Sequence, residues 1–344
     1  MTTLITGAAG FIGMHTALAL LENGETVVGY DNMNDYYDVA LKELRLAKLE
    51  AYPRFTFYRA DITDYPTLTD CFAKEQIRTV IHLAAQAGVR YSLENPHAYI
   101  QANVVGFTNV MEAARRYKAE HVIYASSSSV YGGNEKLPFA VGDDVSHPVS
   151  LYAATKKANE LIAHTYSHLY DLPTTGLRFF TVYGPYGRPD MAYFSFAEAI
   201  MANKPIRVYN HGDMMRDFTY IDDIVNGITA LKQHVPTRAA EKEAAVRTPD
   251  KSDAPYRIYN IGNHQPVRLG TFIATLEQTL GKKAVKQYVP MQPGDVPATY
   301  ADITELQALT GFQPATSIDD GLRRFAAWYL TYKQQAAKLK NPAI

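Results

Sequence analysis

Thr3-Leu4-Ile5-Thr6-Gly7-Ala8-Ala9-Gly10-Phe11-Ile12-Gly13 lies at the head of the chain, and its reading decides the fold. A short apolar strand stops at a glycine, small residues follow, and an apolar helical pattern begins at Phe11. Such a turn lets backbone approach a pyrophosphate at the positive end of a helix. The helix is predicted over Phe11–Glu22, closed by Asn23-Gly24. After the next strand, Thr26-Val27-Val28, stands Asp31. An aspartate there accepts both ribose hydroxyls of a dinucleotide and repels a 2′-phosphate, which favours NAD over NADP; a plain turn aspartate is the alternative.

Outward from this unit the alternation continues. Strands are predicted at Phe55–Phe57, Val80–Ile81, His121–Tyr124 and Thr174–Phe180, with helices over Asp64–Lys74 and Asn95–Tyr117. That rhythm predicts an α/β fold, a Rossmann-type doubly wound parallel sheet over residues 1–180. Gly184, Pro185, Gly187 and Pro189 then crowd one loop before a helix over Tyr193–Met201, and the lobe boundary is placed there. Residues 181–216 and 263–344 are expected to form a smaller, mostly helical C-terminal substrate lobe, with 217–262 returning to the first domain. A helix near Leu269–Leu280, a strand near Ala284–Val289 and a terminal helix through Trp328 complete it. The polar segment 236–255 is expected to be a surface loop.

Composition narrows the classes. Lys plus Arg number 34 against 35 acids in 344 residues, so the net charge of -1 gives no general pull toward nucleic acid or an anionic membrane. One cysteine, Cys71, closes no internal disulfide and fits a reducing cytoplasm. No apolar run approaches the roughly 20 residues of a membrane span, and no secretion signal is read at the N-terminus. The ten histidines show no paired ligand spacing, so no metal is expected.

Tyr152-Ala153-Ala154-Thr155-Lys156 sets a phenol and an ammonium one helical turn apart on one face. A free tyrosine titrates near about 10, so a base acting near neutrality needs roughly 4 kcal/mol of preferential phenolate stabilisation. A neighbouring ammonium and the positive nicotinamide ring of NAD are expected to supply it. The spacing alone carries little, since a solvated i,i+4 pair looks the same. Its partner is Ala125-Ser126-Ser127-Ser128-Ser129-Val130-Tyr131-Gly132, which follows the fifth strand at the sheet edge where ligands of doubly wound folds bind.

Together, Gly-x-x-Gly-x-x-Gly, the serine run and Tyr-x-x-x-Lys resemble the extended short-chain dehydrogenase/reductase family. The resemblance implies NAD contacts at Gly7, Gly10, Phe11, Ile12, Gly13, Asp31 and Asn32, at Asp61 and Ile62, at Leu83, Ala84 and Ala85, and at Asn103, Tyr152 and Lys156. Ser127 resembles the catalytic hydroxyl. Dehydratases of the family carry Asp-Glu where this chain has Ser128-Ser129, and UDP-glucuronate decarboxylases carry Glu at the second position. Neutral hydroxyls at both imply oxidation and re-reduction without elimination.

Arg178-Phe179-Phe180-Thr181-Val182-Tyr183-Gly184-Pro185-Tyr186-Gly187-Arg188-Pro189-Asp190-Met191 is similar, almost residue for residue, to the lobe-crossing segment of UDP-glucuronate 4-epimerases. By that likeness Arg188 holds the sugar carboxylate in a bidentate fork. Ser127, Ser128, Ser129, Tyr152, Thr181, Val208, Arg216 and Asp295 complete the implied substrate contacts, Arg216 on the diphosphate and Asp295 on the uridine ribose. Ion pairing around Arg216 and Asp217 is the alternative there. The implied activity interconverts UDP-glucuronate and UDP-galacturonate in a homodimer paired through the helices over Asn95–Tyr117 and Leu151–Tyr170. A neutral UDP-hexose 4-epimerase, a UDP-glucuronate decarboxylase and a noncatalytic NAD-responsive module are the rivals.

Overall fold

The structure, a computed structural model, describes residues 1–240, 247–291 and 296–340, with side chains described through residue 335. The first half alternates as the apolar pattern dictates. β1 (Thr2–Thr6), α1 (Phe11–Glu22), β2 (Thr26–Asp31), α2 (Val39–Glu50), β3 (Phe55–Arg59), α3 (Tyr65–Glu75) and β4 (Thr79–His82) run in order. α4 (Tyr91–Glu94) and α5 (Pro96–Tyr99) lead into a π-helical stretch, Ile100–Gly106, and then α6 (Phe107–Arg116). β5 (His121–Ser127), α7 (Leu151–Tyr170) and β6 (Thr174–Phe179) follow.

β1 to β6 join a parallel sheet whose seventh strand is β10 (Tyr256–Ile261), in the order β10-β6-β5-β4-β1-β2-β3. The strand order reverses beside β1, which places a ligand crevice at the carboxyl ends of β1 and β4. Fully buried Leu4, Ile5, Val80, Ile81, Val122 and Ile123 fill the central strands, the apolar run expected of a sheet covered on both faces.

The remaining elements are short strands as well as helices. β7 (Thr181–Tyr183) precedes α8 (Ala192–Met201), β8 (Pro205–Val208) and β9 (Met215–Tyr220), with α9 (Ile221–Lys232) packing back on α1. β11 (Pro266–Arg268), α10 (Leu269–Leu280), β12 (Val285–Tyr288), β13 (Ala298–Thr299), α11 (Thr304–Thr310) and α12 (Ile318–Lys340) close the chain. β9 pairs with β7, β11 and β13, and β8 with β12. Among the described residues no helix is long and apolar enough to cross a membrane.

Two differences from the sequence reading have physical causes. The single helix expected over Asn95–Tyr117 is instead three joined pieces: Asn95 caps the first through the Ala98 N–H, and the wider turn at Ile100–Gly106 swings Asn103 inward. α2 was not anticipated at all, although Asp38 caps it by accepting from the Ala40 N–H and Leu41, Leu46 and Leu49 bury its inner face.

Candidate active site

A cavity of about 480 Å³ lies along the carboxyl ends of β1, β2, β4, β5 and β6 and reaches across to β7 and β9. Its floor is the glycine turn. Gly7 has φ +72°, and a Cβ there would sit 2.7 Å from the Ala84 nitrogen; at Gly13 a Cβ would sit 2.0 Å from the Gly7 carbonyl oxygen. These contacts press the strand, the turn and α1 together as no larger residue allows. Gly10 caps α1 without a side-chain hydrogen bond, so the first-turn N–H groups at Phe11 and Ile12 are left for an anion at the positive helix end. Asp31, at the far end of β2, is held by N–H donors from Ala9 (3.1 Å) and Met33 (2.9 Å). The cradle fits a dinucleotide: backbone donors for a pyrophosphate, then a fixed carboxylate for ribose hydroxyls.

Asp61 closes the other wall. Burial raises its carboxyl, but donors from Thr63 and from Asn32 (Nδ2 at 2.7 Å) outweigh that and hold it below the usual carboxylate range. Ile62, Leu83, Ala84 and Ala85 also line the cavity. Asn103 does not. It is buried behind the loop, accepting from the Gln86 N–H at 2.8 Å and donating to the Gln86 carbonyl and the Thr155 hydroxyl, each at 3.0 Å. It shapes the loop instead of touching the cavity.

α7 carries Tyr152 and Lys156 to the cavity because Ser150 caps its start, accepting from the Ala153 N–H at 3.1 Å. The Lys156 ammonium donates to the Ala125 carbonyl at 3.0 Å, and burial pulls its pKa down to about 8. The Tyr152 phenol is pushed up by burial, and the Ser127 hydroxyl and the Arg188 guanidinium pull it back. Lys156, one helical turn on from Tyr152, lines the same cavity. Ser127 is itself fixed, accepting from the Ser129 N–H at 3.2 Å and its hydroxyl at 2.9 Å.

Arg188 enters from the lobe-crossing loop and forks onto Asp190, Nε to Oδ1 at 3.0 Å and Nη2 to Oδ2 at 2.5 Å. Ser128, Ser129, Thr181 and Arg216 share the cavity wall with it. The Arg216 guanidinium donates to the Met215 and Pro297 carbonyls at 2.8 and 3.1 Å. Val208 is 1 % exposed, packed in the main hydrophobic core, and its side chain is not among those lining this cavity. Asp295 lies outside the described residues.

Tyr36, Tyr37 and Lys42 also line the cavity and escaped the sequence reading. Lys42 donates to Asn34 Oδ1 at 2.8 Å and lies over the Tyr37 ring. The Asp38 cap beside Leu41, Leu46 and Leu49 was the available signal for the helix, but charged residues are assigned to solvent by default.

A family profile described as GDP-mannose 4,6 dehydratase matches residues 4–325. Among curated relatives, protein CapI of Staphylococcus aureus is 54% identical over 96% of this chain and 99% of its own length. UDP-glucuronate 4-epimerase 4 of Arabidopsis thaliana is 47% identical over 96% of this chain and 76% of its own. A crystal structure of UDP-glucuronic acid 4-epimerase from Bacillus cereus with UDP-glucuronic acid and NAD superposes with a TM-score of 0.85 at 34% identity, covering 96% of this chain and all of that one. With its glycine turn, its Tyr152–Lys156 helix and these relatives, the chain belongs to the GDP-mannose 4,6 dehydratase family of extended short-chain dehydrogenases/reductases, on its UDP-glucuronate 4-epimerase side.

Proposed function

We propose that this chain is an NAD-dependent UDP-glucuronate 4-epimerase, interconverting UDP-glucuronate and UDP-galacturonate. The observation that carries the reading is that Tyr152, Ser127 and the Arg188 fork line one cavity together. A base and a carboxylate clamp thus face the same small volume. Bound NAD supplies a hydride acceptor that keeps the C4 hydrogen within the protein and gives it back.

The chain's own residues do the rest. Tyr152 takes the C4 hydroxyl proton, with Ser127 holding that oxygen. Lys156, fixed on the Ala125 carbonyl, keeps positive charge beneath the reacting pair. Oxidation at C4 of a uronic acid creates a β-keto acid, which loses CO2 when its carboxylate bond stands perpendicular to the ketone. Arg188, with the hydroxyls of Ser128 and Ser129, denies that alignment. Arg216 anchors the diphosphate while the keto ring turns over, and Tyr152 returns the proton on the opposite face.

Serine at 128 and 129 disfavours the dehydratase chemistry in the family's name, because neither hydroxyl can shuttle the protons of elimination. The same reading makes the protein a cytoplasmic enzyme; it also makes it a homodimer, since the π-helical stretch Ile100–Gly106 and α7 leave Ile100, Val105, Leu161 and Leu169 exposed. Incubation with UDP-glucuronate, followed by separation of uronate epimers from pentose product, tests the activity; light scattering tests the dimer.

A further inference from the structure

Arg45 of α2 has its whole side chain buried at 0 % exposure, and each acceptor it reaches is neutral. Nε donates to the Tyr186 carbonyl at 2.9 Å and Nη2 to the Gly187 carbonyl at 2.9 Å. Nη1 donates to the Ala9 carbonyl at 3.1 Å and the Tyr37 hydroxyl at 2.6 Å. The fully buried Arg178 shows the ordinary solution, a two-pronged pair with Glu160. A buried guanidinium satisfied by carbonyls and a phenol is a costlier arrangement, so what it holds in place matters.

What it holds is the turn that presents Arg188. His15 of α1 takes the Pro185 carbonyl at 3.0 Å, Arg45 takes the next two, and the Arg188 N–H donates to the Tyr193 hydroxyl at 3.2 Å. Tyr186 is left at φ +59°, a left-handed backbone that these contacts enforce. The same guanidinium grips Ala9 inside the glycine turn. One side chain therefore ties the nucleotide cradle to the loop bearing the clamp.

We propose that Arg45 is a positioning residue for that clamp: it fixes the Pro185–Arg188 turn against the glycine turn, and so keeps the 4-keto intermediate from losing CO2. The inference rests on the uronate reading above. When the clamp drifts, the C5–C6 bond can stand perpendicular to the ketone and break. Its electron pair then passes onto the C4 oxygen as an enolate, CO2 departs, and a solvent proton returns to C5, leaving a 4-keto pentose whose C4 takes back the hydride removed in the first half-reaction to give the pentose. A shift of about 1 Å in a positioned group costs on the order of a hundredfold in rate, so a small displacement at Gly187 is amplified at Arg188. Lysine keeps the charge at position 45 but lacks the planar fork needed for these acceptors together.

The test uses the full chain, Arg45→Lys and the milder Tyr37→Phe, which removes one of the four acceptors. With UDP-glucuronate, Arg45→Lys is expected to raise the pentose share of product about tenfold and weaken UDP-glucuronate binding about tenfold, while UDP binds within about twofold of wild type. Tyr37→Phe should raise the pentose share about twofold to threefold, and it decides the matter if Arg45→Lys does not fold. A structural role alone would lower the melting temperature and all turnover together. Unchanged product shares, with UDP and UDP-glucuronate affinities altered equally, overturn the proposal. A wild-type chain that turns over only neutral UDP-hexoses overturns the uronate reading and this proposal with it; a wild-type epimerase beside variants that partition identically overturns this proposal alone.

Discussion

Arg188, which lines the cavity, and Asp190 form a two-pronged ion pair, two residues apart on the lobe-crossing loop. The fork thus already holds a carboxylate of the same shape as the one a uronate would bring. A substrate carboxylate has to share or displace it. Partly exposed pairs of this kind are worth up to about 1 kcal/mol, or roughly fivefold in affinity. Asp190→Asn should therefore lower the KM for UDP-glucuronate by up to about fivefold, read in steady-state kinetics. Arg188→Ala should cut kcat/KM for UDP-glucuronate by at least about tenfold and lower any UDP-hexose turnover far less.

Tyr152→Phe should lower kcat by about a hundredfold to ten-thousandfold while NAD and UDP-glucuronate still bind, as checked by single-turnover kinetics and calorimetry. Burial pulls Lys156 down to about 8, so turnover should fall as pH rises through that value. The sign for stability is opposite. Between about pH 8 and the ordinary lysine value of 10.5 the unfolded chain holds a proton that the folded one has lost, so this group's contribution to stability rises with pH across that window. Lys156→Met should remove that rise in urea titrations.

Arg178 and Glu160 are both fully buried and paired through Nε and Nη2 at 2.8 and 3.0 Å, with Ser126 donating to the same carboxylate at 2.7 Å. Arg178→Ala leaves Glu160 without its main partner. It should cost about 3–5 kcal/mol of stability, measured by urea unfolding, and should disturb the serine run through Ser126.

How much of this was legible in the sequence follows from the kind of signal each part leaves. The β1 turn, Asp31, the serine run and the Tyr152–Lys156 pair sit at strand ends or one helical turn apart, where spacing reports position directly. Arg188 was legible through its loop. Arg45 and Lys42 were not, because a charged residue on a helix reads as solvated unless its tertiary partners are known; those of Arg45 lie in the Ala9 turn and the 186–187 loop, and those of Lys42 at Asn34 and Tyr37. Asn103 was placed in the right region but reaches it through a π-helical turn that apolar periodicity does not distinguish from a regular helix. Val208 marks the converse: its strand was not read, and pairing with β12 buries it.

Burial drives three histidines well below their ordinary value of 6.5: His15 and His121 to about 4, and His82 to about 3. Below pH 6.5 the unfolded chain takes up protons that the folded chain refuses, so stability should drop as pH falls from 6.5 toward 4. Each group contributes up to about 1.4 kcal/mol per pH unit. His121→Gln, remote from the cavity, should remove about a third of that slope in urea titrations at pH 5 to 6.5.

Central to all of this is a phenol and an arginine fork working on one sugar, so that a proton and a hydride leave and return while the carboxylate stays. The purified chain, given UDP-glucuronate and no added cofactor, should yield UDP-galacturonate with neither CO2 nor free NADH. A pentose product with CO2, or an inert uronate beside rapid interconversion of neutral UDP-hexoses, would contradict it.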